Sequence, residues 1–156
     1  MAGMPPTPAK PVYRGPAKRE VLAVAIGGLI GTGCRLAIDA ALPHAGHAFP
    51  WSTFLINLLG ALVLGWLVGG LWKVPGMPRW VRAGVGAGVL GSFTTFSAVM
   101  VSLVGMSTSG VIGETLVYLL LSVVLGLGAA TLGLRLGTLE AHRRMPRGIS
   151  DQGETL

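Results

Sequence analysis

The chain has 156 residues, 51% of them hydrophobic and only 12% charged, with a net charge of +6 and a mean hydropathy of +0.68. A soluble domain carries about twice that charged fraction, so the composition excludes a water-soluble globular fold. One cysteine, Cys34, excludes a disulfide framework or a thiolate metal cluster.

Four apolar stretches follow in chain order, at residues 21–42, 51–72, 81–104 and 111–134. Each exceeds the ~20 residues a helix needs to cross a hydrocarbon core. They predict an all-α integral membrane protein with four transmembrane helices, flanked by disordered tails at residues 1–20 and 137–156. No extramembrane domain is expected.

The first span follows Lys10, Arg14, Lys18 and Arg19. A basic start before an apolar run also fits a signal peptide. This run is too long, carries Arg35 near its end and lacks a convincing cleavage site, so it reads as a span. Cys34 reads as a small packing residue. Arg35 is the one basic side chain inside a span, where charge is costly and is normally paired or functional. Asp39, one turn on, is its expected partner, and contact with an anion at a pore mouth is the other reading.

In the second span Asn57 is the only amide, between Leu55-Ile56 and Leu58-Leu59. It must bond another helix or a permeating species, and its NH2 offers the two donors that an anion needs. Gly27/Gly31, Gly65/Gly69 and Gly84/Gly88 give the small-xxx-small spacing that lets helices approach closely, which predicts a tight bundle.

The third span is interrupted by Gly91-Ser92-Phe93-Thr94-Thr95-Phe96-Ser97. A polar break at membrane depth survives only where it faces protein, water or an ion. Thr94, Thr95 and Ser97 bring hydroxyl donors. Phe93 and Phe96 bring rings whose positive edges can meet an anion in a dry channel, or simply pack. Unwound carbonyls at Gly91 and Thr94 offer hard-cation ligands. In the fourth span Tyr118 and Ser122 are one turn apart, a short polar track.

The text Gly86-x-Gly88-x-x-Gly91 matches a dinucleotide fingerprint, but that motif needs a strand before it and a helix after it. No Ser-His-Asp, paired-carboxylate or metal-histidine arrangement exists, and His44 and His47 read as loop residues. The chain is not expected to be an enzyme.

Eleven of the twelve Lys and Arg fall before span one, between spans two and three, or after span four. With four spans these regions share one side, while the loops at residues 43–50 and 105–110 carry no Lys or Arg. The positive-inside rule then puts both termini in the cytoplasm of a cell-membrane protein. The charge reflects topology and not a nucleic-acid surface.

At these residues the chain resembles the Fluc fluoride channels, the CrcB-like family. The matching residues are Gly27-Gly28-x-x-Gly31 with Arg35, Trp51-x-Thr53-x3-Asn57-x-x-Gly60, the run from Gly91 to Ser97, and Tyr118 with Ser122. The resemblance covers roughly residues 21–136. It implies an antiparallel dimer of four-helix subunits with two pathways for passive fluoride export. It also implies a structural sodium ion, not transported, held by the Gly91 and Thr94 carbonyls. Asn57, Thr95, Phe96, Ser97, Tyr118 and Ser122 then line the pore, with Arg35 at its mouth and Phe96 the first aromatic of the family's Phe box.

Two departures stand out. The family's second aromatic is Val99 here, which suggests an impaired pathway. A homodimer needs nearly balanced charge, whereas the bias here favours a homologous partner inserted the other way. Rival readings are a small proton-coupled multidrug exporter, which needs a carboxylate inside the bundle, and a non-conducting assembly subunit.

Overall fold

The computed structural model describes residues 15–43 and 48–144. Helix α1 (Lys18–Ala41) opens with Glu20 reaching back to the Ala17 N–H at 3.3 Å. Helix α2 (Trp51–Gly69) starts after Pro50 and runs into a 3₁₀ turn at Leu71–Lys73. The third span is assembled from α3 (Arg79–Ala83), a π-helical segment Gly84–Leu90, α4 (Gly91–Phe93) and α5 (Phe96–Thr108). Helix α6 (Ile112–Arg144) closes the chain. Among the described residues there is no strand. Gly76 (φ 81°) and Gly110 (φ 82°) sit in left-handed turn conformations that favour glycine.

Four helical stretches are long and apolar enough to cross a membrane: Lys18–Ala41, Trp51–Lys73, Arg79–Thr108 and Ile112–Arg143. The expected spans are all present, and two run on further than their apolar stretches. The third continues to Thr108. The fourth passes residue 136, where a disordered tail was expected, and stays helical to Arg144. Residues 138–144 contain no Gly or Pro to stop a helix. Glu140 also accepts a hydrogen bond from Trp66 Nε1 at 3.0 Å, fastening the extension to α2. The tail residues 1–14 and 145–156, and His44 and His47, lie outside the described residues.

Glycines organise the packing as two tight helix pairs. In the first, α1 lies on the π-helical segment: a Cβ at Gly27 would overlap the Gly84 carbonyl, and one at Gly31 the Val89 carbonyl. In the second, α2 lies on α6. Gly65 and Gly69 face the Ala130 and Leu134 carbonyls, while Gly133 and Gly137 face those of Leu62 and Trp66. In hydrocarbon no hydrophobic effect drives helices together, so this backbone-to-backbone contact replaces it. Even one methyl group at these positions would push the helices apart.

The apolar core is correspondingly small, built on Phe54, Met106 and Tyr118 with Phe49, Leu58, Val99, Leu103 and Val111 packed around it. Large apolar side chains such as Leu29, Phe96 and Val101 are exposed on the single chain. The two pairs meet where α2 passes the junction of α4 and α5, and the polar residues gather there.

Candidate functional site

The third span unwinds at two residues. Thr94 (φ −76°, ψ 151°) and Thr95 (φ −148°, ψ 120°) are extended, and α5 starts afresh at Phe96. Asn57 of α2 holds the break open. Its Oδ1 accepts the Thr95 N–H at 2.9 Å, and its Nδ2 donates to the Thr95 carbonyl at 3.0 Å and the Thr53 carbonyl at 3.1 Å. An N–H and a carbonyl on one residue fix the amide's orientation, because each needs its opposite.

Thr95 also caps the new helix. Its Oγ1 accepts the Ala98 N–H at 3.2 Å and lies 3.0 Å from Ser97 Oγ. These two substitutions of partner have a common result. In a continuous helix the Thr95 N–H would bond the Gly91 carbonyl, and the Ala98 N–H the Thr94 carbonyl. Both donors are diverted, so the Gly91 and Thr94 carbonyls lose their helical partners. Thr94 itself bonds back through Oγ1 to the Leu90 carbonyl at 2.9 Å. Its methyl group rests on Gly60, where a Cβ would overlap it.

Asn57, Gly60, Gly91 and Thr94 line an open cleft of about 330 Å³ together with Ala61, Leu64, Gly86 and Leu90. The π-helical Gly84–Leu90 segment forms one wall. Such segments are rare and recur at functional sites. The glycine-rich sequence hid it, since a run of glycines carries no periodic signal.

Tyr118 and Ser122 lie in a second cluster. Tyr118 is fully buried, and its hydroxyl and Ser122 Oγ have no hydrogen-bond partner. Ser102 and Ser122 are its polar neighbours, outside bonding geometry. Val99 packs on the same cluster. A third buried hydroxyl without a partner, Ser52 Oγ, carried no sequence signal. Phe49 was also missed, because a single Phe before a proline in a loop has no distinguishing pattern. It meets Tyr118 edge-on at 5.3 Å and 85°.

The structure thus joins Asn57, Gly91, Thr94, Thr95 and Ser97 at the break. Phe96 is 76% exposed and turned away from Tyr118's core. Arg35 is half-buried on α1. Its expected ion pair with Asp39 does not form: among the described residues the one salt bridge is Arg79–Glu20 at 4.0 Å. Placing the cation N-terminal to the anion at this spacing opposes the helix dipole, which makes the pair weak. Among the described residues no carboxylate projects into the bundle centre, and Glu114 is exposed in the first turn of α6.

The arrangement offers hydroxyl groups, aromatic edges and freed carbonyls. Residues 22–134 match the protein family described as CrcB-like protein, Camphor Resistance (CrcB). The fluoride-specific ion channel FluC 2 of Leifsonia xyli subsp. xyli is 38% identical over 129 residues, covering 81% of this chain and 88% of the relative. The fluoride-specific ion channel FluC of Novosphingobium aromaticivorans is 43% identical over 116 residues, covering 71% and 90%. That of Thermus thermophilus is 38% identical over 117 residues, covering 74% and 93%.

Proposed function

The chain belongs to the CrcB-like protein family, and from that membership we propose that it is a subunit of a passive, fluoride-selective channel that lowers cytoplasmic fluoride. The observation that carries the reading is the Asn57-clamped break at Thr94–Thr95, which interrupts a membrane span beside a cleft and brings the Thr95 and Ser97 hydroxyls to the break. Fluoride is small and tightly hydrated, so a pore must replace its water with close donors and still release it. The hydroxyls of Thr95, Ser97, Tyr118 and Ser122 and the Phe96 ring edge supply such contacts. Asn57 lines the cleft, but both its amide hydrogens are held by carbonyls, so it acts first by holding the break in shape.

The Gly91 and Thr94 carbonyls fit a hard cation, because both have lost their helical N–H partners and Gly91 and Thr94 line the cleft. A sodium ion bound there would supply fixed positive charge that steadies the unwound backbone without being transported. Two carbonyls on one side cannot enclose a cation, so a second subunit completes the site.

That partner is a homologous subunit of opposite orientation. Lys18, Arg19, Lys73, Arg79, Arg82, Arg135 and Arg143 belong to segments at one end of the bundle, so this chain inserts one way, with its termini in the cytoplasm. Fluoride and chloride release from liposomes holding this chain, alone and with an oppositely oriented homologue, tests the function. The reading expects fluoride release without chloride release once the pair is complete.

A further inference from the structure

The Tyr118 and Ser122 hydroxyls are buried beside each other and beside Ser102 without closing a well-formed hydrogen bond, and unmade hydrogen bonds in a dry interior are costly. Two such groups one turn apart point to a ligand that visits them. Apart from Ser102, their surroundings are apolar. Met106, fully buried, and Val111 close one side, where the Val111 N–H bonds the Met106 carbonyl at 3.3 Å. The other side is aromatic. From the surface inward come Trp51 (56% exposed), half-buried Phe49 and buried Tyr118. Phe49 lies 4.5 Å from Trp51, 5.7 Å from Phe54 and 5.3 Å from Tyr118 between ring centroids, the last two edge-to-face.

Phe49 is rigidly mounted. Its carbonyl accepts the Trp51 N–H at 2.9 Å across Pro50, whose φ −82° and ψ 72° are those of an inverse γ-turn. Proline also restricts the residue before it to extended backbone. The Phe49 backbone is thereby fixed at the start of α2.

We propose that Phe49 is a specificity-determining residue: its ring seals the Tyr118–Ser122 hydroxyls from water at the end of the bundle opposite the basic clusters. An anion reaching those hydroxyls must then arrive without its hydration shell, which penalises ions that the hydroxyls cannot repay. The selectivity half of this inference rests on the fluoride reading above, whereas the seal itself does not.

The test uses the full chain in liposomes with Ser122→Cys in a Cys34→Ser background. Reaction with a sulfonated, membrane-impermeant methanethiosulfonate is followed with Phe49 intact and with Phe49→Ala. The seal predicts reaction faster by about two- to twelvefold without the ring, the factor expected when an edge-to-face pair no longer holds the closed form. With Ser122 intact and the oppositely oriented homologue present, Phe49→Ala should also release chloride relative to fluoride more readily. If Phe49→Ala does not fold, Phe49→Leu should give a smaller increase in both. Equal reactivity with and without the ring in folded protein overturns the proposal, as does a selectivity unchanged by the loss of the seal. Faster labelling in a protein that moves neither anion, alone or with the oppositely oriented homologue, leaves the seal standing and overturns the fluoride reading.

Discussion

Asn57 and Thr95, 38 residues apart, exchange two hydrogen bonds, the Thr95 N–H to Oδ1 and Nδ2 to the Thr95 carbonyl. One amide thereby satisfies the backbone of a residue that the helix abandons. In a membrane that service is essential, because unsatisfied backbone groups in hydrocarbon are not tolerated.

Asn57→Ala should therefore destabilise the chain, since each orphaned buried group costs about 1–3 kcal/mol. Asn57→Asp should fare no better: it keeps an acceptor for the Thr95 N–H but turns a carboxylate oxygen on the Thr53 and Thr95 carbonyls. Thermal unfolding in detergent checks both. A variant as stable as the parent would mean that the clamp is not what holds the break.

Gly60→Ala should cost about 1–3 kcal/mol, because the new Cβ overlaps Thr94 Cγ2 and cannot move away from α2. Thr94→Ser removes that methyl while keeping the hydroxyl that bonds Leu90. The double variant should recover most of the loss. Additive losses in a double-mutant cycle would show that the two residues do not touch in the folded protein.

The spans and the break were legible in the sequence for physical reasons. Length and hydropathy fix a span, and Gly91 to Ser97 is too polar to sit in hydrocarbon without a purpose. Asn57 was legible as a residue needing a partner, but the partner, 38 residues on, was not. The diversion of the Ala98 N–H to Thr95 Oγ1 is a threonine N-cap, a pattern the sequence carries but that reads there only as a hydroxyl donor. Arg35 and Asp39 had the right spacing and still did not pair, because spacing permits a contact without making it favourable. The helical extension to Arg144 was hidden by its polar composition, which resembles that of a tail.

Val99 packs on the core around Tyr118, where the resemblance places a second aromatic ring. Val99→Phe should raise fluoride flux through the pathway this chain lines. The measurement is initial efflux rate with unfolding temperature alongside. A folded variant with unchanged flux would mean that this position does not limit conduction.

Orientation is testable through Ser109, exposed in the turn between α5 and α6 on the side without basic residues. Ser109→Cys, with Cys34→Ser, should react with an impermeant reagent added outside intact cells and should resist it in inverted vesicles. Equal labelling from both sides would show dual insertion and remove the argument for an oppositely oriented homologue.

The most direct test of the central claim is anion release from liposomes, with a fluoride electrode and a chloride electrode read in parallel. The account predicts rapid fluoride release and negligible chloride release from vesicles holding this chain with an oppositely oriented homologue. Folded, reconstituted protein that releases no fluoride in that pairing and none alone, or that releases chloride equally fast, would contradict it.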